Sequence, residues 1–499
     1  MHPDQDFAPG ADLPANADDL LRDLGLEAVL SAMARGDAFL LEISRSALLS
    51  SLTDPARILY RQRILADCLA APDVVREIYT LAVQAIEGER KFYLWSLRSP
   101  DSILHRSSGA LAFLAQQLQR LRRIAQAHVE RMHSEGMRRL FGMLQQELDD
   151  PFFRAVEAQL EELRSLDGGM LVSAELGAGQ KGAHYVLRSP LPERRGWLQR
   201  VLPRSSAESF SIAERDEAGL QALAQLRGRG LNPVANALAQ SVDHVLHFFR
   251  LLREELGFYV GALNLHEELS ARGEPVCMPV PAPAQSMRLS ARGLYDVSLA
   301  LGLDTGVVGS DLAADGRPLV LITGANQGGK STFLRGIGLC QLMLQAGMFV
   351  GALEYAASCC LGLFTHYPRE EDERMQRGRL DEELHRLDGI VERMRPHAML
   401  LCNESLASTN EREGSEIAGQ VVQALVESKV RVLFVTHLVE FAQGAARDLS
   451  GQVLCLRADR QEDGRRTFRI VEGDPLPTGF GEDLYRQIFE TRVPGADAR

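Results

Sequence analysis

Residues 319–345 read LVLITGANQGGKSTFLRGIGLCQLMLQ, and no other stretch of the 499-residue chain restricts the fold as much. An unbroken apolar run meets a glycine-rich turn, and an amphipathic helical pattern follows. Such a run is a buried strand of a parallel sheet. Gly324–Ser331 fits G-x-x-x-x-G-K-[ST] in the strand–loop–helix order that the motif requires. The glycines let the backbone wrap close to a phosphate with its N–H groups aimed inward. A helix starting near Lys330 adds the positive end of its dipole. The motif assigns Lys330 to the β- and γ-phosphates of ATP and the Ser331 hydroxyl to Mg²⁺. The expected cradle is Gly324, Ala325, Asn326, Gln327, Gly328, Gly329, Lys330, Ser331 and Thr332. An ordinary glycine turn explains the glycines but not the lysine and hydroxyl at fixed places.

Two further strand ends belong with this loop. AMLLCNESLASTNEREG delivers Asn403 and Glu404 from a buried run, and RVLFVTHLVEF delivers His437. Ligands of open α/β sheets bind outside the carboxyl ends of the strands. Asn403 is therefore expected in the Mg²⁺ shell together with Ser331. Glu404 is expected as general base toward water, and His437 beside the γ-phosphate as its sensor. The bland alternatives are a Glu404 that caps the next segment and a His437 that simply ends a strand.

The rest of the chain is read by texture. Residues 1–18 resemble a flexible tail rich in Asp, Ala and Pro. Residues 19–273 carry helical spacing, with starts or breaks expected at Asp54-Pro55, Pro72-Asp73, Ser99-Pro100-Asp101 and Asp149-Asp150-Pro151. One tract runs from about Gly109 to Leu166. Another runs from about Ala207 to Ser270, with interruptions expected at Arg227-Gly228-Arg229-Gly230 and Asn232-Pro233. A small β insertion is expected near 168–203. Pro275, Pro279, Pro281 and Pro283 mark 274–290 as an extended boundary strand or linker. Residues 291–499 alternate short β runs with helices, as an α/β domain does.

Composition removes several classes. Lys plus Arg is 55 and Asp plus Glu 67, for a net charge of −12, so the surface is not broadly basic. No apolar run reaches a bilayer-spanning length, and the first residues lack a secretory pattern. The expectation is a cytoplasmic chain with no membrane partner. The seven cysteines contain no C-x-x-C and read as reduced, mostly buried thiols. Two local basic clusters are candidates for nucleic-acid phosphates. One is Arg120, Arg122, Arg123, His128, Arg131, Arg138 and Arg139; the other is Arg188, Arg194, Arg195, Arg200 and Arg204 around Trp197. Solvated helix faces and arginine stems packed on Trp197 are the competing reading. Asp243, His244 and His247 offer too few ligands for a metal site. The run Glu370–Glu373 reads as an exposed mobile segment.

ITGANQGGKST, NESLASTNEREG and FVTHLVEF, in this order, resemble the ATPase domain of the MutS family of DNA mismatch-repair proteins. The resemblance is strong over about 300–480 and consistent over about 100–275, where the helical tracts match the family's core and lever helices. It implies a multidomain protein: a mainly α-helical core/lever domain, then an α/β P-loop ATPase domain of ABC type. It further implies ATP and Mg²⁺, a homodimer, DNA binding, and coupling of nucleotide state to DNA in repair or recombination. By position, Ser310, Asp311 and Leu312 would border the adenine, and residues near Gly378-Arg379 would reach the partner's ATP. Three departures qualify this. Asn403-Glu404 stands where the family has Asp-Glu, and an amide brings no charge to a hard dication. Leu380-Asp381 follows Gly378-Arg379 where the family has Ser-Thr, which implies slow hydrolysis. The chain before the loop is also shorter than in full mismatch-repair members, so the resemblance is to a short form without a mismatch-reading domain; Phe480-Gly481-Glu482 is a coincidental triplet. The rival expectation is a nucleotide-gated, weakly hydrolysing dimeric scaffold that acts on a protein partner.

Overall fold

The structure, a computed structural model, describes residues 2–9, 13–93, 100–165, 171–176, 182–188, 217–369, 378–461 and 466–475. The first half of the chain is helical: α1 (Ala17–Asp23), α2 (Leu26–Ala34), α3 (Ala38–Leu49), α4 (Pro55–Ala70), α5 (Pro72–Arg90), α6 (Pro100–His128), α7 (Glu135–Glu147), α8 (Asp150–Ser165) and α9 (Glu217–Ala271). The antiparallel pair β1 (Leu171–Leu176) and β2 (Gly182–Arg188) lies between α8 and α9. The second half alternates: β3 (Val280–Ala282), β4 (Leu289–Leu294), α10 (Val297–Gly302), β5 (Ser310–Ala313), β6 (Leu319–Thr323), α11 (Lys330–Gln345), β7 (Glu354–Ser358), β8 (Leu363–His366), α12 (Arg379–Val391), β9 (Met399–Asn403), α13 (Glu411–Glu427), β10 (Arg431–Val435), α14 (Val439–Asp448), β11 (Val453–Arg460) and β12 (Arg466–Glu472).

The helix starts follow from local chemistry. α4, α5 and α6 begin at Pro55, Pro72 and Pro100, where a missing N–H costs nothing. Asp54 accepts the Ala56 N–H at 2.9 Å, and Asp149 accepts the Phe152 N–H at 2.8 Å ahead of Pro151, both as N-caps do. α9 corrects the expected interruption, because it continues through Pro233. An interior proline costs about 3 kcal/mol. Beyond it, Ala235, Leu238, Val242, Leu246, Phe249, Leu252 and Leu256 form one buried face. Burial of that stripe offsets the proline.

The chain divides into two compact units, Met1–Val75 with Arg131–Met137 and Glu254–Arg499, and Arg76–Glu130 with Arg138–Arg253. This differs from a boundary after residue 273, since the first helices share a unit with the α/β half. In the second unit, Leu111, Leu114, Leu118, Leu121 and Ala125 of α6 are buried at helical spacing.

The first unit holds two sheets. Six strands run β12-β11-β6-β10-β9-β8, and four run β3-β7-β4-β5. In the larger sheet β11, β6, β10, β9 and β8 are parallel, and β12 is antiparallel at the edge. β6 and β10 are buried along their whole length, as strands covered on both faces must be. Leu319, Leu321, Leu400, Val432, Phe434, Ala418, Val422 and Phe441 form the core between this sheet and its helices.

Two extended segments can now be placed. Of the two readings of 274–290, the extended boundary strand is the one seen: β3 pairs with β7, and Cys277 exchanges backbone hydrogen bonds with Val350. The prolines are accommodated because β3 is an edge strand. The amino-terminal residues are also held. Phe7 is buried, its N–H donates to Glu255 Oε1 at 2.6 Å, and Asp4 pairs with Arg57 at 2.7 Å. Beneath them the buried guanidinium of Arg61 contacts His2 and faces the rings of Phe7 and Phe258; its Nη1 donates to the carbonyl of Ala346, just past α11. All seven cysteines are free thiols. Among the described residues, no helix is long and apolar enough to cross a membrane.

Candidate nucleotide site

β6, β10 and β9 are adjacent and parallel, with Val435 in register with both Ile322 and Asn403. Whatever follows these strands therefore emerges at one sheet edge. The glycine loop after β6, the Asn403-Glu404 pair ending β9 and the Thr436-His437 pair after β10 meet there.

The loop closes as its glycines require. Gly329, at φ +92°, precedes α11 in the left-handed region. A Cβ on Gly328 would lie 2.6 Å from that of Ala458 and 2.9 Å from the Ala325 carbonyl oxygen. Lys330 is buried, and its Nζ donates to the carbonyls of Gly324 at 2.8 Å and Ala325 at 3.0 Å. Burial pulls its pKa down to about 8; the negative charge of Glu404 opposes this and the positive charge of Arg466 adds to it. Asn326 and Gln327 are exposed at the loop tip, and Thr332 is half-buried.

Ser331 donates its hydroxyl to Asn403 Oδ1 at 2.8 Å. The structure thus brings together the two oxygens expected to face Mg²⁺. Both are hard oxygen donors of the kind Mg²⁺ takes, yet both are neutral. Among the described residues, no cluster of three or more His, Cys, Asp or Glu side chains could hold a metal ion. The donor set fits a metal whose negative partners come from a bound triphosphate rather than from the chain.

Glu404 and His437 also meet, with Nε2 of His437 2.9 Å from Glu404 Oε1. That hydrogen bond holds the Glu404 carboxyl below its ordinary range; desolvation opposes it, and the charges of His437 and Lys330 reinforce it. Glu404 occupies left-handed backbone at φ +51°, as does Leu406 at φ +64°. Each of the three residues 404–406 makes a hydrogen bond that holds this turn. Glu404 N–H donates to the Val435 carbonyl at 2.8 Å, Leu406 N–H donates to Glu383 Oε2 at 3.0 Å, and Ser405 Oγ lies 2.6 Å from His366 Nδ1. His366 is driven down to about 4 by burial first, and is neutral near pH 7. Its Nε2 faces the Glu383 carbonyl at 3.2 Å. Ser405 Oγ also lies 3.0 Å from the His366 carbonyl, so its one hydroxyl proton serves either the ring nitrogen or that carbonyl.

Glu383, His366, Ser405 and Arg466 were not found by sequence reasoning. His366 ends β8 at the same sheet edge, which a strand-end search would have flagged. Glu383 lies in an acidic helix start and Arg466 opens an edge strand, so neither carries a local signal.

Other expected positions fare differently. The Ser310 hydroxyl accepts the Ile470 N–H, Asp311 accepts the Gly293 N–H, and Leu312 is buried. Leu380 packs against the sheet core, which accounts for an apolar residue there. Arg122 pairs with Asp150 over the Phe153 ring, and Arg131 with Asp73. His244 and His247 are exposed. Arg194, Arg195, Trp197, Arg200, Arg204, Glu370–Glu373 and Phe480-Gly481-Glu482 lie outside the described residues.

Comparison with known proteins bears on both halves. Residues 53–272 match the family model described as the MutS2 N-terminal domain, and residues 320–481 match MutS domain V. The chain is 31% identical over 186 residues to the "DNA mismatch repair protein MutS" of Thermotoga neapolitana, covering 36% of this chain and 23% of that protein. It is 32% identical over 142 residues to the "Probable DNA mismatch repair protein Msh6" of Drosophila melanogaster, covering 28% and 12%. With the mouse "MutS protein homolog 4" it shares 29% identity over 150 residues, covering 30% and 16%. The chain thus spans less than a quarter of the length of each of these relatives.

Proposed function

This chain belongs to the MutS family, and from that premise we propose that it binds ATP with Mg²⁺ in the 324–332 cradle, hydrolyses it slowly, and uses nucleotide state to control DNA binding as a homodimer of ABC-type P-loop ATPases. One observation carries the reading. Lys330, the Ser331–Asn403 pair and the Glu404–His437 pair converge at the carboxyl edge of a single parallel sheet.

Each residue then has a task. Lys330 leaves the Gly324 and Ala325 carbonyls for the phosphates, while the loop N–H groups cradle them. Mg²⁺, when bound, supplies charge neutralisation on the triphosphate, with Ser331 and Asn403 facing it. Glu404 accepts a proton from the attacking water. Its depressed pKa keeps it ionised near pH 7 and also makes it a weak base, consistent with slow turnover. His437 holds Oε1 of Glu404, which leaves Oε2 to face water, and lies where a γ-phosphate would be sensed. Association with DNA, work in repair or recombination, and a cytoplasmic site of action follow the family reading.

A second reading is a weakly hydrolysing, nucleotide-gated dimeric scaffold for a protein partner. The uncharged Asn403 and the inward-packed Leu380 favour it. Steady-state ATPase of wild type, Glu404→Gln and Lys330→Ala separates the two. The enzyme reading expects clear turnover lost in both variants, with ATP binding kept in Glu404→Gln. A wild type no faster than Glu404→Gln overturns it. Titration of duplex and branched DNA at two salt concentrations, with and without ATP, tests the partner.

A further inference from the structure

The β11–β12 hairpin runs past the carboxyl edge of the larger sheet. Arg457 is in register with Thr323, the last residue of β6, and β11 continues to Arg460. Ala458 lies over the glycine loop, within 2.9 Å of a Cβ built on Gly324 and 2.6 Å of one built on Gly328. On the returning strand the Phe468 carbonyl lies 3.1 Å from a Cβ built on Gly329. The hairpin is therefore a roof over the cradle. Arg466 starts that returning strand, opposite Arg460, and its Nη1 lies 3.4 Å from Oε1 of Gln327 at the exposed loop tip.

The charge count at the cradle is unusual for a loop of this kind. Asn403 stands where an acidic residue normally holds the metal shell. Glu404 spends one oxygen on His437. On the positive side are Lys330 and, on the roof, Arg466, whose charge is felt at Lys330. The acceptor that Arg466 meets is a neutral amide at the long limit of hydrogen bonding. A phosphate is a far better partner for a planar guanidinium, which it can engage through two parallel N–H donors.

We propose that Arg466 is a second phosphate-binding cation, supplied in cis by the β11–β12 hairpin, and that it lets this site hold a nucleoside triphosphate with little help from a divalent cation. The inference rests on the nucleotide reading above and names a residue that reading does not use. Arg466 takes over part of the charge neutralisation that a carboxylate at position 403 would recruit through its metal. It exchanges Gln327 for phosphate oxygen when nucleotide enters.

The test is calorimetric titration of the full-length protein with ATP, in excess Mg²⁺ and in EDTA, for wild type, Arg466→Gln, Arg466→Lys and Asn403→Asp, each checked for an unchanged thermal melt. Wild type is expected to bind in EDTA within about tenfold of its affinity in Mg²⁺, and Arg466→Gln to lose about tenfold or more in EDTA, the scale of one charge-assisted hydrogen bond. The loss in Mg²⁺ is smaller, Arg466→Lys recovers most of it, and Asn403→Asp makes binding more dependent on Mg²⁺. Inorganic tripolyphosphate as competitor follows the same order, because phosphate and not base is read. Arg466→Gln binding like wild type in EDTA overturns the proposal. So does an equal loss in both media that Arg466→Lys does not recover, since that marks a purely structural tether on Gln327. A wild type that binds no ATP in either medium removes the nucleotide reading itself, whereas retained ATP binding with an indifferent Arg466→Gln removes only this inference.

Discussion

The hydroxyl of Ser331 donates to the side-chain carbonyl of Asn403 across 2.8 Å. A helix start and a strand end, 72 positions apart in the chain, thereby share one proton at the mouth of the glycine loop. An aspartate at 403 would accept that proton equally well and add a negative charge. Asn403→Asp is therefore expected to leave the fold intact and to lower the Mg²⁺ concentration for half-maximal ATPase by about tenfold, the scale of one added ionic hydrogen bond. ATPase rate against Mg²⁺ concentration checks this, and an unchanged half-saturation contradicts it.

Lys330 gives a pH dependence. Burial pulls its pKa from 10.5 down to about 8, whereas the phosphates require the ammonium. ATP affinity should hold below pH 8 and then fall by up to about tenfold per pH unit, as linkage to one proton dictates. Lys330→Arg stays charged, so its affinity should be flat over the same range. Titrations between pH 7 and pH 9.5 decide; a wild type as flat as Lys330→Arg counts against the assignment.

Glu383 anchors the turn that carries Glu404 without touching the cradle. Glu383→Ala removes the acceptor for Leu406 N–H. Hydrolysis should drop about a hundredfold, within the range credited to a positioned general base, while ATP affinity changes far less. Rates from single-turnover mixing, set beside equilibrium binding, test the split. Equal losses in both would show that the residue merely supports the fold.

Arg61 is a stability prediction. Its buried guanidinium ties the carbonyl past α11 to the rings of Phe7 and Phe258. Arg61→Ala leaves a cavity and an unsatisfied carbonyl, and should cost about 3 kcal/mol. Urea unfolding monitors the cost. Limited proteolysis should then cut near Phe7 in the variant and not in wild type.

The elements that were legible in the sequence are those whose information is local. LVLIT, MLLCN and RVLFV are mostly apolar and became strands; Pro55, Pro72 and Pro100 opened helices because a proline states its own φ. The order of the loop, Asn403-Glu404 and His437 gave the family and brought the expected side chains to one edge. What escaped was non-local. Pro233 breaks a helix by local rules, yet α9 continues because a long buried face outweighs it. Residues 274–290 left boundary strand and linker open because their pairing partner, β7, lies more than 70 positions away. Phe7 read as tail because its pocket is built from α4 and α9. Glu383 supports the Glu404 turn from α12, and Arg466 meets Gln327 across 139 positions; neither relation is written in the neighbouring sequence.

Glu404 and Leu406 both stand in backbone that side-chain-bearing residues avoid, at about 1–2 kcal/mol each. That cost is met by hydrogen bonds to Val435, His366 and Glu383, none of which belongs to the glycine loop. The place of the Glu404 carboxylate is thus underwritten by neighbours outside the cradle, and a change in any of them reaches it through the backbone.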